Sequence, residues 1–317
     1  MKNILFCIIF LFCISITGKA QSFPDKPNQI KIITSDLDHF WQAYDHWKAG
    51  NNLKKSLEDF YFAKASEGLK AFVAQKITSS DALTKAILKH PQYYAQMRSV
   101  MPMIKGEYAK TIKHMHELEK IYEPAVYPPV YLMVGNFTAG GRISDTGLLI
   151  GVEYYSKTPT SSAEGFSKNR WAIIRNIKSI STIITHELVH FQQLAVMKKE
   201  HWTGTLLSQA ILEGTADFIA ELTSGNHIND VAHTYAKQKE KILWQEFQTK
   251  MHGKDYKGWM YDQNAGRPAD LGYWMGYEIV KYYYDHAADK KAAIKNIINP
   301  GYAKDFLKIS GYADKHQ

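Results

Sequence analysis

Cysteine is almost absent from this chain. The only two, Cys7 and Cys13, lie within the first 20 residues, in a segment that we expect to be removed. A mature chain without thiols forms neither disulfides nor cysteine-ligated metal sites. Any bound metal ion must therefore be coordinated by histidine and carboxylate side chains.

Long apolar runs are also missing. The longest covers residues 4–17, and its length of about 14 residues falls short of the roughly 20 that a transmembrane helix needs. Lys2 precedes this run, and Gly18, Lys19 and Ala20 follow it, a pattern typical of a secretory signal peptide cleaved after Ala20. We expect residues 1–20 to be a signal peptide and the mature protein to be exported, periplasmic or secreted, with no transmembrane span.

Concentrated charge is a third absence. The formal net charge is +8, but the Lys and Arg residues are scattered, and the sequence contains no internal repeat or low-complexity tract. Dispersed positive charge is typical of an ordinary solvent-exposed surface, and the sequence contains no nucleic-acid-binding motif. We therefore expect no nucleic acid partner. The oligomeric state does not follow from these patterns.

Hydrophobic periodicity divides the mature chain into two parts. Residues 35–122 show helical spacing of apolar residues, which predicts an all-helical N-terminal lobe over 21–123. Residues 130–134 and 146–152 are rich in β-branched residues and flank a glycine-containing turn, so they predict a hairpin or small sheet. The fold class is therefore mainly α (α+β), with a second lobe over 124–317.

Five further helices are predicted in the second lobe. Gly225 is placed to end the second of them and Asp270 to begin the fourth. Their expected ranges are 178–196, 205–224, 230–250, 270–288 and 290–298.

The first of these helices contains the sequence HELVH at residues 186–190. A separation of four residues puts His186 and His190 on one helix face, the arrangement that zinc needs from two ligands. Glu187 lies beside them, where a carboxylate can act as general base on a water molecule. The alternative is a chance motif on a surface helix, but the neighbouring Ile183, Ile184, Leu188 and Val189 indicate burial.

The next helix offers the third ligand. Glu213 follows His190 in the segment EGTAD, and Asp217 lies one turn further on the same face. We expect Glu213 to complete a zinc site and Asp217 to accept the free ring proton of a ligating histidine. A solvated acidic face is the alternative, and the apolar neighbours of both acids disfavour it.

HELVH followed by EGTAD on a later helix resembles the gluzincin pattern of thermolysin-like and aminopeptidase-like zinc peptidases. The metzincin pattern does not fit, because Gln193 and Val196 stand where it requires Gly and His. The order of elements also resembles a bacterial family described as zinc-dependent proteases of unknown substrate, over nearly all the mature chain. This resemblance implies a zincin-like helical catalytic lobe.

In gluzincins a Tyr or His outside the zinc motif donates to the oxyanion of the tetrahedral intermediate. The resemblance therefore makes Tyr273 or Tyr277, one turn apart in a predicted helix, a candidate for that role. Arg267 can bind a substrate carboxylate, and one of Gln192 and Gln193 can support the site. Core tyrosines and exposed glutamines are the ordinary alternatives.

These residues predict an exported metallopeptidase with one Zn²⁺ per chain and a peptide or protein substrate. Two other hypotheses remain open: a zinc-stabilised envelope protein that binds a partner without catalysis, and a metal-free helical protein with a chance motif. The substrate and the choice between internal and terminal cleavage are not decided by the sequence.

Overall fold

The computed structural model describes residues 23–261 and 267–316. The predicted signal peptide, residues 1–20, lies outside this range, as do both cysteines. Within the described residues, every helix is too short or too polar to span a lipid bilayer.

Helices form most of the structure, as the sequence predicted. They are α1 (Ser35–Lys48), α2 (Leu53–Leu57), α3 (Glu67–Ala74), α4 (Ser80–Lys89), α5 (Pro91–Met97), α6 (Ile104–Ile121), α7 (Lys168–Ile173), α8 (Ile180–Val196), α9 (Leu206–Ser224), α10 (Asp230–Ala236), α11 (Glu240–Lys250), α12 (Leu271–His286), α13 (Lys290–Ile298) and α14 (Ala303–Ser310). With one small sheet beside them, the fold class is mainly α (α+β).

The sheet has four short strands in the order β1-β2-β4-β3. They are β1 (Ile32–Ile33), β2 (Val130–Met133), β3 (Gly141–Ser144) and β4 (Gly147–Gly151). Strands β1, β2 and β4 are parallel, with Ile32 beside Val130 and Val130 beside Leu148. Only β3 is antiparallel, and it forms a hairpin with β4.

Of the two arrangements predicted for residues 130–134 and 146–152, the structure shows the small sheet, and the two segments do not form a hairpin with each other. Those two segments lie side by side in parallel, and the hairpin partner of β4 is β3, which falls in a segment that its glycines marked as a turn. Every residue of β2 and β4 is buried, as expected for parallel strands covered by helices. Helices α1, α3 and α8 pack against this sheet.

The predicted N-terminal lobe and the later helices share one hydrophobic core. Strand β1 joins the sheet of the later residues, and α6 packs on α8 and α9. Helix α9 packs in turn on α12, and a Cβ on Gly276 of α12 would overlap the Ala210 backbone of α9. The three helices α8, α9 and α12 form the framework of the candidate site.

Several helix boundaries differ from the predicted ones. The predicted helix 230–250 is divided into α10 and α11, and α14 was not predicted. In the N-terminal part, a π-helical turn, Glu58–Phe62, and a break separate α2 from α3. Gly225 ends α9 with φ +75°, as expected from its lack of a Cβ. Asp270 precedes α12 as predicted, but its side chain accepts the Tyr261 N–H instead of capping the helix.

Candidate metal centre

Helices α8 and α9 bring His186, His190 and Glu213 together in the interior. The Nε2 atoms of the two histidines lie 3.0 Å apart. Glu213 Oε2 lies 3.0 Å from His190 Nε2 and 3.5 Å from His186 Nε2. Only His190 is appreciably accessible, with 12% of its side chain exposed. Among the described residues these three form a group suited to binding a metal ion.

The ring orientations direct lone pairs toward one point. Nδ1 of His190 lies 2.8 Å from Gln193 Oε1, which can only accept, so the ring proton belongs on Nδ1 and Nε2 is left as an acceptor. Nδ1 of His186 likewise faces Asp217 Oδ1 at 2.9 Å. Two imidazole lone pairs and a carboxylate oxygen thus converge. These electron-rich atoms repel one another unless a cation lies between them.

The spacing also suits zinc. Ligand atoms at about 2.0–2.2 Å from a tetrahedral zinc ion lie about 3.3–3.6 Å from one another. The three observed separations of 3.0, 3.0 and 3.5 Å are close to these values. His, His and Glu are also ligands that catalytic zinc sites use, with a fourth position left for water or substrate. The residues present therefore fit a zinc ion.

Buried negative charge surrounds His186. Burial alone lowers the pKa of this imidazole, but Asp217 and Glu213 raise it more strongly, to about 10. Carboxylates that stabilise a proton on His186 stabilise a metal cation at the same place by the same attraction. The Asp217 Oδ1 and His186 Nδ1 atoms are in contact without aligned hydrogen-bond geometry, and Asn229 donates to Asp217 Oδ2 at 3.0 Å.

Gln193 connects His190 to the helix that carries Glu213. Its Oε1 faces His190 Nδ1 at 2.8 Å, while its Nε2 donates to the backbone carbonyl of Leu212 at 3.2 Å. Gln192 has a different role, because its side-chain amide makes two hydrogen bonds with the backbone of Val126, ahead of β2. Both glutamines are buried, so the expectation that one of them contacts the site agrees with the position of Gln193.

Glu213 is fixed through both carboxylate oxygens. Oε2 faces the histidines, while Oε1 accepts from Gln209 Nε2 at 3.0 Å and from the Tyr261 hydroxyl at 3.2 Å. Burial raises the pKa of this carboxyl, but the charge of His190 and the contacts with both imidazoles outweigh burial and place the pKa well below its ordinary value. Glu213 is therefore ionised, as a metal ligand must be.

Glu187 lies on the same helix under strand β3. A Cβ on Gly141 would overlap its carboxylate, so the strand passes directly over the acid, and any larger residue there would displace the Glu187 side chain. Burial raises the pKa of Glu187, and the charges of His190 and His186 oppose this shift. A carboxylate with a raised pKa is a stronger base than one in water, which suits proton transfer near neutral pH.

The loop leading into β3 is attached to Glu153, which is completely buried. Its two carboxylate oxygens accept the N–H groups of Gly135 at 2.8 Å and Phe137 at 3.1 Å. Burial raises the pKa of Glu153 to about 7, against the opposing effect of these hydrogen bonds. Phe137 has a left-handed backbone, φ +61°, so this carboxylate stabilises an unfavourable loop conformation.

The two candidate tyrosines of α12 occupy different surroundings. The ring of Tyr273 stacks over that of His186, with centroids 6.3 Å apart, and burial followed by the charge of Glu213 raises its pKa well above the ordinary value. Tyr277 lies one turn away, and its hydroxyl donates to Glu221. The structure thus brings Tyr273 to the cluster, whereas the hydroxyl of Tyr277 is bound to another acid.

Arg267 is engaged by other side chains. Its guanidinium pairs with Glu246 at 2.9 Å and stacks on Trp259. It also lines a small cavity together with Arg175, Asn229 and Asp270, among others. The structure shows no contact between Arg267 and the three metal-binding candidates in the described part of the chain.

Sequence reasoning missed Tyr261, Gln209 and Glu153. Gln209 stands four residues before Glu213, so helical spacing alone could have placed it on the same face. Tyr261 comes from a non-helical segment 48 residues after Glu213 in the chain, and no local pattern indicates that contact. Glu153 reaches a loop from an irregular segment, which is equally invisible to periodicity.

Comparison with known proteins gives one result. No curated protein and no solved structure matches the chain. Residues 173–300, less than half of the chain, match the protein family described as "Predicted Zn-dependent protease (DUF2268)". This segment contains HELVH, Glu213 and Asp217, so the part of the chain that resembles a predicted zinc protease family is the part that forms the buried His-His-Glu cluster.

Proposed function

We propose that the protein is a zinc-dependent peptidase of the gluzincin type, with one zinc ion bound by His186, His190 and Glu213. The observation that carries this proposal is the convergence of two imidazole lone pairs and a carboxylate oxygen within 3.0–3.5 Å of one another, in a buried, negatively charged surrounding. The third ligand on the helix that follows HELVH is the feature that favours the gluzincin type. The match to a predicted zinc protease family supports the same function.

Zinc, when bound, would polarise the substrate carbonyl and acidify the attacking water. Glu187 is the general base: its buried carboxylate accepts the proton of that water and delivers it to the leaving amine. Because burial raises the pKa of Glu187, the carboxylate both takes and returns a proton readily. Asp217 and Gln193 orient the two imidazoles, each through the Nδ1 atom that does not face the metal position.

We further propose that substrate binds along β3. This strand is at the end of the sheet order, so its outer edge pairs with no other strand of the described residues. Gly141 lies directly over Glu187, so an extended peptide added to that edge runs past the base. Backbone hydrogen bonds of this kind recognise peptides of many sequences.

Tyr273 is the proposed oxyanion donor. Its ring stacks on His186, and its pKa is well above the ordinary value, so the hydroxyl keeps its proton and can donate. Tyr277 is not assigned this role because its hydroxyl donates to Glu221.

The test compares three forms of the purified protein by elemental mass spectrometry and by cleavage of a peptide library. We expect one zinc per chain and cleavage for the wild type, full zinc but a 10²–10⁴-fold lower rate for Glu187→Gln, and loss of zinc for Glu213→Gln. A folded wild type that takes up no added zinc would exclude the metal site. Stoichiometric zinc without cleavage of any peptide would favour the inactive, zinc-stabilised binding protein.

A further inference from the structure

The two oxygens of Glu213 have separate partners. Oε2 faces the imidazoles, whereas Oε1 accepts hydrogen bonds from Gln209 Nε2 at 3.0 Å and from the Tyr261 hydroxyl at 3.2 Å. Gln209 Nε2 also donates to the Tyr261 hydroxyl oxygen at 2.6 Å, so a hydrogen bond links the two donors. Both lone-pair directions of Oε1 are thereby used by hydrogen bonds.

The backbone that presents Tyr261 is in an unfavourable conformation. Tyr261 has φ +57° and Asp270 has φ +60°, and these are two of the four non-glycine residues with positive φ in the described ranges. They contact each other, because the Tyr261 N–H donates to Asp270 Oδ1 at 2.8 Å. Left-handed backbone in residues other than glycine is found where the surrounding structure enforces it, often at functional sites.

The side chain of Tyr261 lies beside the metal-binding cluster. Its ring packs edge-on against Tyr273, with centroids 6.2 Å apart, and Tyr273 in turn stacks on His186. Asp270, the residue before α12, therefore connects the start of that helix to Glu213 through Tyr261. The strained pair and the metal-binding cluster form one hydrogen-bonded unit.

We propose that Tyr261, together with Gln209, is a positioning residue that makes Glu213 a one-oxygen ligand. This inference rests on the proposed zinc site. With Oε1 engaged by two donors, the carboxylate cannot turn to offer both oxygens to the metal without breaking both hydrogen bonds. The arrangement fits a tetrahedral ion such as zinc and disfavours ions such as Ca²⁺ that take six to eight oxygen ligands and use bidentate carboxylates.

The test uses Tyr261→Phe, which removes only the hydroxyl, and Gln209→Met, which removes the other donor from within α9. Zinc affinity is measured by competition with a chromophoric chelator. We expect each variant to bind zinc 10–100-fold more weakly than the wild type, as for the loss of other partners of metal ligands. Tyr312→Phe is the matched control, since its hydroxyl also donates to a glutamate Oε1, that of Glu240, at 2.9 Å.

A second readout separates positioning from general destabilisation. In the Co²⁺-substituted protein, visible absorption is intense for four-coordinate cobalt and weak when a second carboxylate oxygen is added. Tyr261→Phe and Gln209→Met should lose intensity, whereas Tyr312→Phe should keep the wild-type spectrum even if it unfolds at lower temperature.

Wild-type zinc affinity and an unchanged cobalt spectrum in both Tyr261→Phe and Gln209→Met would overturn the positioning role and leave the proposed function intact. Failure of the wild type to bind zinc would instead refute the proposed function itself. Circular dichroism checks that each variant is folded. If Tyr261→Phe does not fold, Gln209→Met alone tests the positioning role.

Discussion

The crossing of α9 and α12 permits a sharp test of the packing around the site. A Cβ on Gly276 would lie 1.7 Å from the Ala210 carbonyl oxygen, and one on Gly214 would lie 2.1 Å from backbone atoms of Gly276 and Tyr277. Backbone atoms cannot rotate away as a flexible side chain can, so Gly276→Ala must push the helices apart. Gly106 in α6 is the matched control, because nothing lies within 4 Å of its Cβ position.

The magnitudes follow from two opposing effects. Replacing glycine by alanine inside a helix stabilises it by about 1 kcal/mol, whereas overpacking of a tight contact costs about 1–3 kcal/mol and sometimes more. Gly106→Ala should therefore raise the free energy of unfolding by about 0.5–1 kcal/mol. Gly276→Ala, whose Cβ would meet backbone atoms of α9, should lower the free energy of unfolding by about 2 kcal/mol or more.

Urea unfolding of the wild type and both variants, followed by circular dichroism, measures these differences. Gly276→Ala should also weaken zinc binding, because it moves α9, which carries Glu213, away from Asp270 and Tyr261 at the start of α12, and Tyr261 donates to Glu213. Equal stability of Gly276→Ala and wild type would mean that the two helices do not cross at this distance. A destabilising Gly106→Ala would show that the assumed helix propensity does not apply in this protein.

Two further predictions concern the tyrosines and Glu153. Tyr273→Phe should lower kcat/KM by about 10²–10³-fold, as for loss of an oxyanion donor. Tyr277→Phe loses only the hydrogen bond to Glu221 and should retain activity. Equal losses of both variants in a peptidase assay would contradict the assignment of Tyr273 as the oxyanion donor. Glu153 has a folded-state pKa of about 7, above its unfolded value of 4.5. Its contribution to the free energy of unfolding is therefore fully present below about pH 4.5 and is lost as the pH rises through about 7. The loss amounts to about 3 kcal/mol, and Glu153→Gln should remove this part of the pH dependence of the unfolding free energy. If the unfolding free energies of wild type and Glu153→Gln changed with pH in parallel, the role of Glu153 would be refuted.

The sequence predicted the parts of the site that depend on local spacing. HELVH puts His186, Glu187 and His190 on one helix by periodicity alone, and α8 and α9 lie within two residues of their predicted bounds. The apolar neighbours of Glu213 and Asp217 correctly indicated burial. These inferences succeed because helical contacts join residues three or four apart, a relation that is visible in the sequence.

Contacts between distant segments were not predictable in this way. The sequence predicts a hairpin or a small sheet for β2 and β4 but does not distinguish parallel from antiparallel pairing, because two short apolar strands around glycines look alike in either arrangement. The sequence predicts a turn where β3 lies, since Gly140 and Gly141 have low strand propensity. The reason for glycine at 141 becomes clear only from the Glu187 carboxylate beneath it, which a larger residue would displace.

Asp270 illustrates a third limit. Its position before a helix correctly predicted the helix start, but the usual role of aspartate there, capping N–H groups of its own helix, is absent. Its left-handed backbone directs the carboxylate to Tyr261 instead. A conformation imposed by tertiary contacts has no signature in local propensity.

The pairing of β1 with β2 has a consequence for how the protein folds. Ile32 lies beside Val130, about a hundred residues later in the chain, so the first strand cannot pair until β2 is available, and such high contact order is associated with slow folding. Every candidate metal ligand comes still later, on α8, which packs against this sheet and α6, and on α9, which packs against α8 and α6. The metal-binding geometry therefore depends on the whole cooperative unit. A fragment containing only the HELVH and EGTAD helices lacks the packing surfaces that fix the distance between these two helices.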